Sequence, residues 1–174
     1  SQLQLREGEV RNYVEDTRYL ELAVVDPDPK NSDQEEQTVV PESLLLAPGI
    51  ISSGQLPFDV RLDKFYKNAD LLKVNNAPKI DNPATAGLGR EFVAVDAPPA
   101  VGTDSSGSID QSAAYVTLLN KKNREPIGTY LVSVLASRQD FPEKVEVDGK
   151  NYDVALRFKR YYKPYSMSLQ DVRK

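Results

Sequence analysis

Cysteine, histidine and tryptophan are all missing from this chain of 174 residues. Without cysteine there are no disulfides, no thiolate nucleophile and no thiolate metal ligand. Without histidine there is no imidazole ligand and no side chain of the commonest general acid–base type. The lack of cysteine leaves the redox compartment open, because disulfide-free domains occur on both sides of a membrane.

Long apolar runs are missing too. The longest, such as Leu44–Ala47, cover only a few residues, whereas a helix needs ~20 to span a bilayer. No secretory signal pattern opens the chain. Hydrophobic residues make up 40% of the chain and charged residues 28%, with a mean hydropathy of -0.49. These values are typical of a folded, soluble protein rather than a disordered one.

Sequence signatures of catalysis are also absent, including GxSxG, HExxH, the Walker loop and EF-hand spacing. Gly87-Leu88-Gly89 is predicted to precede a strand and not a helix, which argues against a phosphate-binding loop. The acids of Asp26-Pro27-Asp28, together with Asp81, Asp96 and Asp104, are interpreted as solvated loop residues, with a Ca²⁺ cage as the alternative. We therefore predict a binding or assembly module and not an enzyme; an enzyme built on loop carboxylates is a minor alternative.

The net charge of -4 hides a gradient along the chain. Residues 1–49 carry four basic and eleven acidic side chains, a net -7, whereas residues 150–174 carry seven basic and two acidic side chains, a net +5. One interpretation is that the acidic and basic ends lie side by side and neutralise each other. The other is that the basic end meets phosphate, propionate or anionic lipid.

Alternation of apolar and polar residues with a period of two dominates the sequence and predicts strands. Strands are predicted at Arg18–Val25, Leu56–Phe65, Gly89–Ala97, Ala113–Leu119, Thr129–Leu135, Val145–Lys159 with a turn at Asp148-Gly149, and Tyr165–Val172. Polar loops are predicted at Lys30–Gln37 and Val101–Ser112, and one helical turn at Pro41–Leu46. In Leu56–Phe65, the acids Asp59 and Asp63 lie on the polar face and are predicted to be surface charges.

About eight to ten strands with turn signals every ten or so residues indicate a mainly β fold. We predict an antiparallel β-sandwich or an open barrel, with long loops and at most one or two short helices. Residues 1–174 are expected to form a single β-rich domain.

The segment Arg157–Tyr165, here called the basic–aromatic segment, interleaves four cations with four aromatic side chains. Its candidate binding residues are Arg157, Lys159, Arg160, Tyr161, Tyr162, Lys163 and Tyr165. The functional interpretation is a docking face for a partner chain, an anionic cofactor edge or membrane headgroups. The structural alternative is a strand with alternate aromatic side chains buried and the cations in water. Nucleic acid is not expected, because the chain is acidic overall.

Three segments carry a resemblance to a known family. The run Tyr152-Asp153-Val154-Ala155-Leu156-Arg157-Phe158-Lys159-Arg160-Tyr161-Tyr162-Lys163-Pro164-Tyr165-Ser166 resembles the extracytoplasmic domain of ResB-like proteins, the cytochrome c biogenesis membrane proteins of the system II type. Leu56–Phe65 is similar to a strand motif of that family, and Leu5-Arg6-Glu7-Gly8-Glu9 to the segment that follows one of its transmembrane helices. The shared order of the three segments is the main argument.

This resemblance implies a multi-span parent in the bacterial cytoplasmic membrane, with the present chain as a fragment on its extracytoplasmic (periplasmic) side. The domain would be a scaffold that assists haem delivery and cytochrome c maturation. Its partners would be the membrane portion of the parent, other cytochrome c maturation proteins and apocytochrome c. The haem-associated histidines of the family belong to the membrane portion, so no cofactor is expected on this fragment and haem would be handled by the full-length parent. Met167 is more typical of a core residue than of a haem ligand.

A second hypothesis is a generic extracellular β-sandwich that binds protein or sugar. It predicts an exposed aromatic platform away from the basic–aromatic segment. The absence of tryptophan weakens a sugar platform, because the indole ring offers the largest stacking surface.

Overall fold

The computed structural model describes residues 12–28, 35–101, 109–163 and 168–173. Its strands are β1 Tyr13–Asp26, β2 Glu36–Pro41, β3 Ile50–Ile51, β4 Asp59–Tyr66, β5 Ala69–Lys73, β6 Phe92–Asp96, β7 Ala113–Leu119, β8 Pro126–Ser133, β9 Glu143–Val147, β10 Lys150–Tyr162 and β11 Ser168–Asp171. Two short α-helices, α1 Glu42–Leu45 and α2 Val134–Arg138, and two 3₁₀ turns, Val74–Asn76 and Gly87–Arg90, accompany them.

The strands form three sheets. The largest has five strands in the order β11-β2-β1-β10-β9, the second has four in the order β3-β4-β7-β8, and the smallest pairs β5 with β6. All pairings between strands are antiparallel except that of β11 with β2, which is parallel. The predicted mainly β, sandwich-like fold is confirmed, and over the described ranges no sheet closes into a barrel.

The two larger sheets face each other across one apolar core. Alternate residues of β1 and β10, such as Leu22 and Leu156, meet alternate residues of β7, such as Val116, and all three are fully buried. The two-stranded sheet covers the opposite face of the four-stranded sheet, which is why every residue of β7 is buried. The Tyr115 hydroxyl joins these two layers by accepting a hydrogen bond from the Ala94 N–H at 3.0 Å.

The clearest local prediction is confirmed in the turn between β9 and β10. Asp148 and Gly149 have φ angles of 50° and 78°, and Val147 pairs with Lys150. Two successive positive φ angles are what a type I′ turn requires, and its twist matches the twist of the flanking strands. The turn fixes the register of β10, so that Val154, Leu156 and Phe158 enter the core as the alternation predicts.

Other local predictions were only partly right. The strand predicted at Thr129–Leu135 ends at Ser133, whose hydroxyl accepts the Ala136 N–H at 3.0 Å and begins α2. The polar loop predicted at Lys30–Gln37 overlaps β2, which begins at Glu36. The described residues hold eleven strands against the predicted eight to ten, because short strands such as β3 are defined by pairing with a neighbour and carry little alternation of their own.

The interpretation of Asp59 as a surface charge was wrong, whereas Asp63 is exposed as predicted. Asp59 is only 2% exposed, and its carboxylate accepts hydrogen bonds from Lys121 Nζ at 2.9 Å and the Ser52 hydroxyl at 2.8 Å. Burial by itself raises the pKa of Asp59, but these two donors outweigh it and hold the pKa below its usual value. Alternation missed this because Lys121 reaches Asp59 from a turn 62 residues away.

Candidate functional site

Residues 157–162 of the basic–aromatic segment form the end of the longest strand pair among the described residues. β1 and β10 pair from Tyr13↔Tyr162 inward, but β2 joins β1 only from Glu21 onward, and β9 joins β10 only up to Val154. Residues 13–16 and 159–162 therefore make a two-stranded ribbon that continues past both neighbouring strands. We call these residues the ribbon; the Lys163 N–H closes its end by donating to the Asn12 carbonyl at 3.0 Å.

A three-residue bulge separates the ribbon from the rest of the sheet. Asp16 pairs with Lys159 and Leu20 with Phe158, so Thr17, Arg18 and Tyr19 lie outside the ladder. Arg18 folds back on Asp16, donating from its backbone N–H, Nε and Nη2 at 3.0 Å each. These hydrogen bonds lower the pKa of the Asp16 carboxyl and hold the bulge in one conformation.

The first candidate residue, Arg157, points into the protein. Its Nε donates to Glu21 Oε2 at 2.8 Å and its Nη2 to Gln37 Oε1 at 2.6 Å. Burial raises the pKa of Glu21, against the opposing effect of Arg157, and burial also lowers the pKa of Arg157. The guanidinium remains charged because an arginine starts from a pKa far above neutral. Arg157 is thus part of a buried polar network that joins β1, β2 and β10.

Arg160 and Tyr162 connect that network to the ribbon. The Tyr162 hydroxyl accepts hydrogen bonds from Arg160 Nη1 at 3.0 Å and from Gln37 Nε2 at 3.3 Å. The Arg160 guanidinium lies 4.0 Å from the centroid of the Tyr13 ring, and the Tyr13 and Tyr162 rings are 5.2 Å apart. Both side chains are half-buried, so they fix the ribbon to the body of the sheet.

The remaining side chains of the ribbon and its bulge form an exposed surface. Val14 pairs with Tyr161, and their side chains are 70% and 52% exposed; Tyr19 in the bulge is 47% exposed. Lys159 Nζ lies 5.2 Å from the Tyr161 ring centroid, and the Arg18 guanidinium 5.6 Å from that of Tyr19. Hydrogen bonding to Asp16 raises the pKa of Arg18. We call the set Val14, Arg18, Tyr19, Lys159 and Tyr161 the outer face.

The structure therefore divides the seven predicted residues. Arg157 lies inside, Lys159, Arg160 and Tyr162 are half-buried, and Tyr161 and Lys163 are exposed. Tyr165 and Met167 fall outside the described residues.

Sequence reasoning missed the contribution of β1 to the outer face: Val14, Arg18 and Tyr19. The dipeptide Arg18-Tyr19 is itself basic and aromatic, which was a usable signal. Nothing local identifies Glu21 and Gln37 as partners of Arg157, since they lie 136 and 120 residues from it along the chain.

Pairing of β1 with β10 partly cancels the charge gradient along the chain. Glu21–Arg157 and Asp26–Lys150, the latter with an Oδ2–Nζ distance of 2.6 Å, join the acidic and basic ends, as the neutralising interpretation predicted. Without the buried Arg157–Glu21 pair, residues 12–19 and 159–163 carry four basic and two acidic side chains, a net +2, so the rest of the chain carries -6. The ribbon and its bulge form a basic region on an otherwise acidic protein.

A groove lies at the other end of the same strand pair. It has a volume of about 250 Å³, and its lining includes Asp26, Glu36, Gln55, Lys150 and Tyr152. Carboxylate, amide and phenol groups around a small groove are able to hydrogen-bond a neutral polar ligand. The groove is therefore a second candidate site.

A third feature is a buried carboxylate beside the glycines examined for phosphate binding. Residues Gly87–Arg90 form a 3₁₀ turn, so the strand expected directly after Gly89 begins only at Phe92. The Leu88 N–H donates to Glu143 Oε1 at 2.9 Å, and a Cβ on Gly87 would lie 1.8 Å from Glu143 Oε2. Burial raises the pKa of Glu143, with the Leu88 hydrogen bond opposing it. An internal carboxylate already occupies the position where a phosphate would approach this turn.

The interpretation of Asp26 as a solvated loop acid was wrong, because it ends β1, is 7% exposed and pairs with Lys150. Asp104 lies outside the described residues. Within the described ranges, no three acidic side chains come together in a way that would hold a metal ion. Over the same ranges, none of the helices combines the length and apolar character needed to cross a bilayer. No protein family, curated protein or solved structure matches the chain.

Proposed function

We propose that this chain is an extracytoplasmic scaffold domain of a ResB-like membrane protein, which assists haem delivery and cytochrome c maturation. The resemblance rests on Leu5–Glu9, Leu56–Phe65 and Tyr152–Ser166, in that order. The observation that carries the proposal is the antiparallel pairing of β1 with β10, Tyr13 opposite Tyr162. It places Tyr13, four residues after the first segment, directly opposite Tyr162 of the third.

The geometry of the chain then relates this surface to a membrane. In the proposed parent, Leu5–Glu9 directly follows a transmembrane helix on the extracytoplasmic side. Asn12 comes seven residues after Leu5, and seven residues reach at most about 25 Å when fully extended. The ribbon that starts at Tyr13 therefore lies within about that distance of the bilayer in the proposed parent.

The proposed role is to hold partners and not to transform them. A chain without histidine or cysteine brings no imidazole or thiolate to haem iron, and the resemblance assigns the haem-associated histidines to the membrane portion of the parent. The partners we propose are that membrane portion, other cytochrome c maturation proteins and apocytochrome c. The net charge of -4 disfavours nucleic acid as a partner.

The experiment replaces the coding region for residues 12–173 in the full-length gene by one for a flexible Gly/Ser linker. We expect holocytochrome c, measured by haem staining, to disappear while the shortened parent remains in the membrane by immunoblot. A full-length gene carrying only the surface changes Lys73→Gln and Lys79→Gln is the control. Normal holocytochrome c in the linker strain would contradict the proposal, as would a gene with no hydrophobic span beside this region.

A sugar- or protein-binding β-sandwich is the second candidate, and the groove favours it. Tyr152 presents a partly buried ring there, held edge-on to Phe58 at 6.4 Å between centroids, and Asp26 and Lys150 lie beside it. A glycan array with the wild-type chain and with Tyr152→Ala tests this candidate. Binding that the substitution abolishes supports it, and an array without signal contradicts sugar binding.

A further inference from the structure

We propose that the outer face, formed by Val14, Arg18, Tyr19, Lys159 and Tyr161, docks on an anionic lipid surface. The inference deepens the proposed function and rests on it for the presence of a bilayer nearby. Its evidence is the charge, the exposed rings and the size of this surface, each of which points to lipid headgroups.

The distribution of charge selects the ribbon as the end that approaches an anionic surface. The ribbon, its bulge and the adjoining Lys163 carry a net +2 against -6 for the rest of the chain. Anionic headgroups attract the first region and repel the second, with a range of about 10 Å set by salt screening. The protein is therefore oriented with the outer face toward the lipid.

The side chains on this face suit the boundary between headgroups and acyl chains. Tyr19 and Tyr161 are half exposed, and each has a cation over its ring, Arg18 and Lys159 respectively. Tyrosine rings concentrate at this boundary because one end is apolar and the other polar. Arg18 and Lys159 are placed to meet lipid phosphates, and the 70% exposed Val14 to meet the upper acyl chains.

The size of the surface favours lipid over a protein partner. The ribbon has four register pairs, Tyr13↔Tyr162 to Asp16↔Lys159. At ~3.4 Å per residue and ~5 Å between strands, its face covers on the order of 100–200 Å². A stable protein interface needs about 800 Å² on each partner. A few cations and rings suffice for measurable binding to an anionic bilayer, because each cation near its surface contributes about 1 kcal/mol.

The test measures sedimentation of the full 174-residue chain with vesicles of phosphatidylcholine containing phosphatidylglycerol. We expect the chain to bind these vesicles, to bind pure phosphatidylcholine much more weakly, and to be released by high salt. The double change Arg18→Gln and Lys159→Gln should lower the partition coefficient by about tenfold, because each cation near an anionic surface contributes roughly a factor of five, offset here by Asp16. The control, Lys73→Gln and Lys79→Gln, removes the same charge from another exposed surface and should leave binding unchanged.

Because the chain has no tryptophan, the fluorescence of a single introduced indole reports whether that position enters the membrane. Tyr161→Trp and Phe141→Trp each place a single indole at an exposed aromatic position, with side-chain exposures of 52% and 68%. On adding anionic vesicles, the emission of Trp at position 161 should shift to shorter wavelength, and that of Trp at position 141 should not. Circular dichroism of every variant confirms that the fold is retained.

Wild-type chain that stays in solution with anionic vesicles would overturn the inference, and so would equal losses in the test and control variants or a shift at position 141 alone. A chain that binds vesicles through the outer face while the linker strain still makes holocytochrome c would retain the lipid surface and refute the proposed function. Loss of holocytochrome c in the linker strain, together with no vesicle binding by the wild-type chain, would support the proposed function and refute the lipid surface.

Discussion

The two halves of the β1–β10 pair share one ladder but have opposite surroundings. In the inner half, Leu20–Val25 opposite residues 153–158, residues Leu20 to Val24 are all buried, including the acid Glu21. In the ribbon, Val14 and Tyr161 are more than half exposed although they pair directly. The inner half has β2 and β9 beside it and the second sheet against its face; the ribbon extends past β2 and β9.

The comparison shows that the neighbours, and not the residue types, decide what a cation does here. Arg157 and Lys159 are two residues apart on one strand. Arg157 is 6% exposed and paired with Glu21, whereas Lys159 lies over the exposed Tyr161 ring. A charge taken out of water requires a partner, whereas a charge at the surface does not. The inner cation therefore acts in stability, and the outer one is available for binding.

The largest expected effect on stability comes from replacing Arg157 by methionine. The matched comparison replaces Lys159 by methionine. Arg157→Met leaves Glu21 buried without its cation and should lower the free energy of unfolding by about 3–5 kcal/mol. Lys159→Met should change it by less than about 0.5 kcal/mol. Urea unfolding followed by circular dichroism measures the free energy of unfolding of both variants. Equal losses would contradict the proposed difference between the inner half and the ribbon. Adding Glu21→Leu to Arg157→Met should recover most of the loss, since it removes the unpaired charge.

A smaller and pH-dependent effect is expected at Glu143, which pairs with Val154 beside the inner half. Burial raises the pKa of Glu143, so protonation favours the folded state. Its stabilising contribution is fully present below the unfolded pKa of about 4.3. The contribution is lost as the pH rises through the folded pKa. Glu143→Gln keeps an acceptor for the Leu88 N–H and should stabilise the protein by about 1 kcal/mol at pH 7 but not at pH 4.

Thermal unfolding between pH 4 and pH 8 checks this expectation. Glu146→Gln, at an exposed position on the same strand, is the matched control and should show no such dependence. A Glu143→Gln variant that is less stable than the wild type at pH 7 would mean that the ionised carboxylate stabilises the 3₁₀ turn.

The smallest effect should come from the outer face. Tyr161→Ser removes a ring that is already half exposed, so the free energy of unfolding should fall by no more than about 0.5 kcal/mol. Denaturant unfolding of this variant, compared with Tyr162→Ser, sharpens the contrast within the ribbon, because the Tyr162 hydroxyl accepts two hydrogen bonds. A large loss for Tyr161→Ser would mean that this face is structural and would weaken its role as a docking surface.

Much of the fold followed from period-two alternation and from turn chemistry. The strand Ala113–Leu119 was predicted with the bounds it has, and Asp148-Gly149 forms the predicted turn. The predictions failed where burial came from distant neighbours. Asp59 is buried and paired with Lys121 from a distant turn, and Arg157 is paired with residues on strands more than a hundred residues away. A pattern of two residues reports which face a side chain is on, but it does not report what covers that face.

The candidate site was half predicted for the same reason. The basic–aromatic composition of β10 identified Lys159 and Tyr161, but the outer face is completed by Val14, Arg18 and Tyr19 from the far end of the chain. Local composition carries no information on which strand will pair with which.

The sequence by itself determined that this chain folds into alternating strands, that it brings neither imidazole nor thiol to any partner, and that cations and rings alternate near its end. Only the tertiary structure decided that Arg157 faces a buried acid while Lys159, two residues further on, is half-buried beside the exposed Tyr161 ring. The physical reason is that alternation is a property of each strand, whereas burial depends on which strands and sheets are packed around it, and those contacts join residues far apart in the chain.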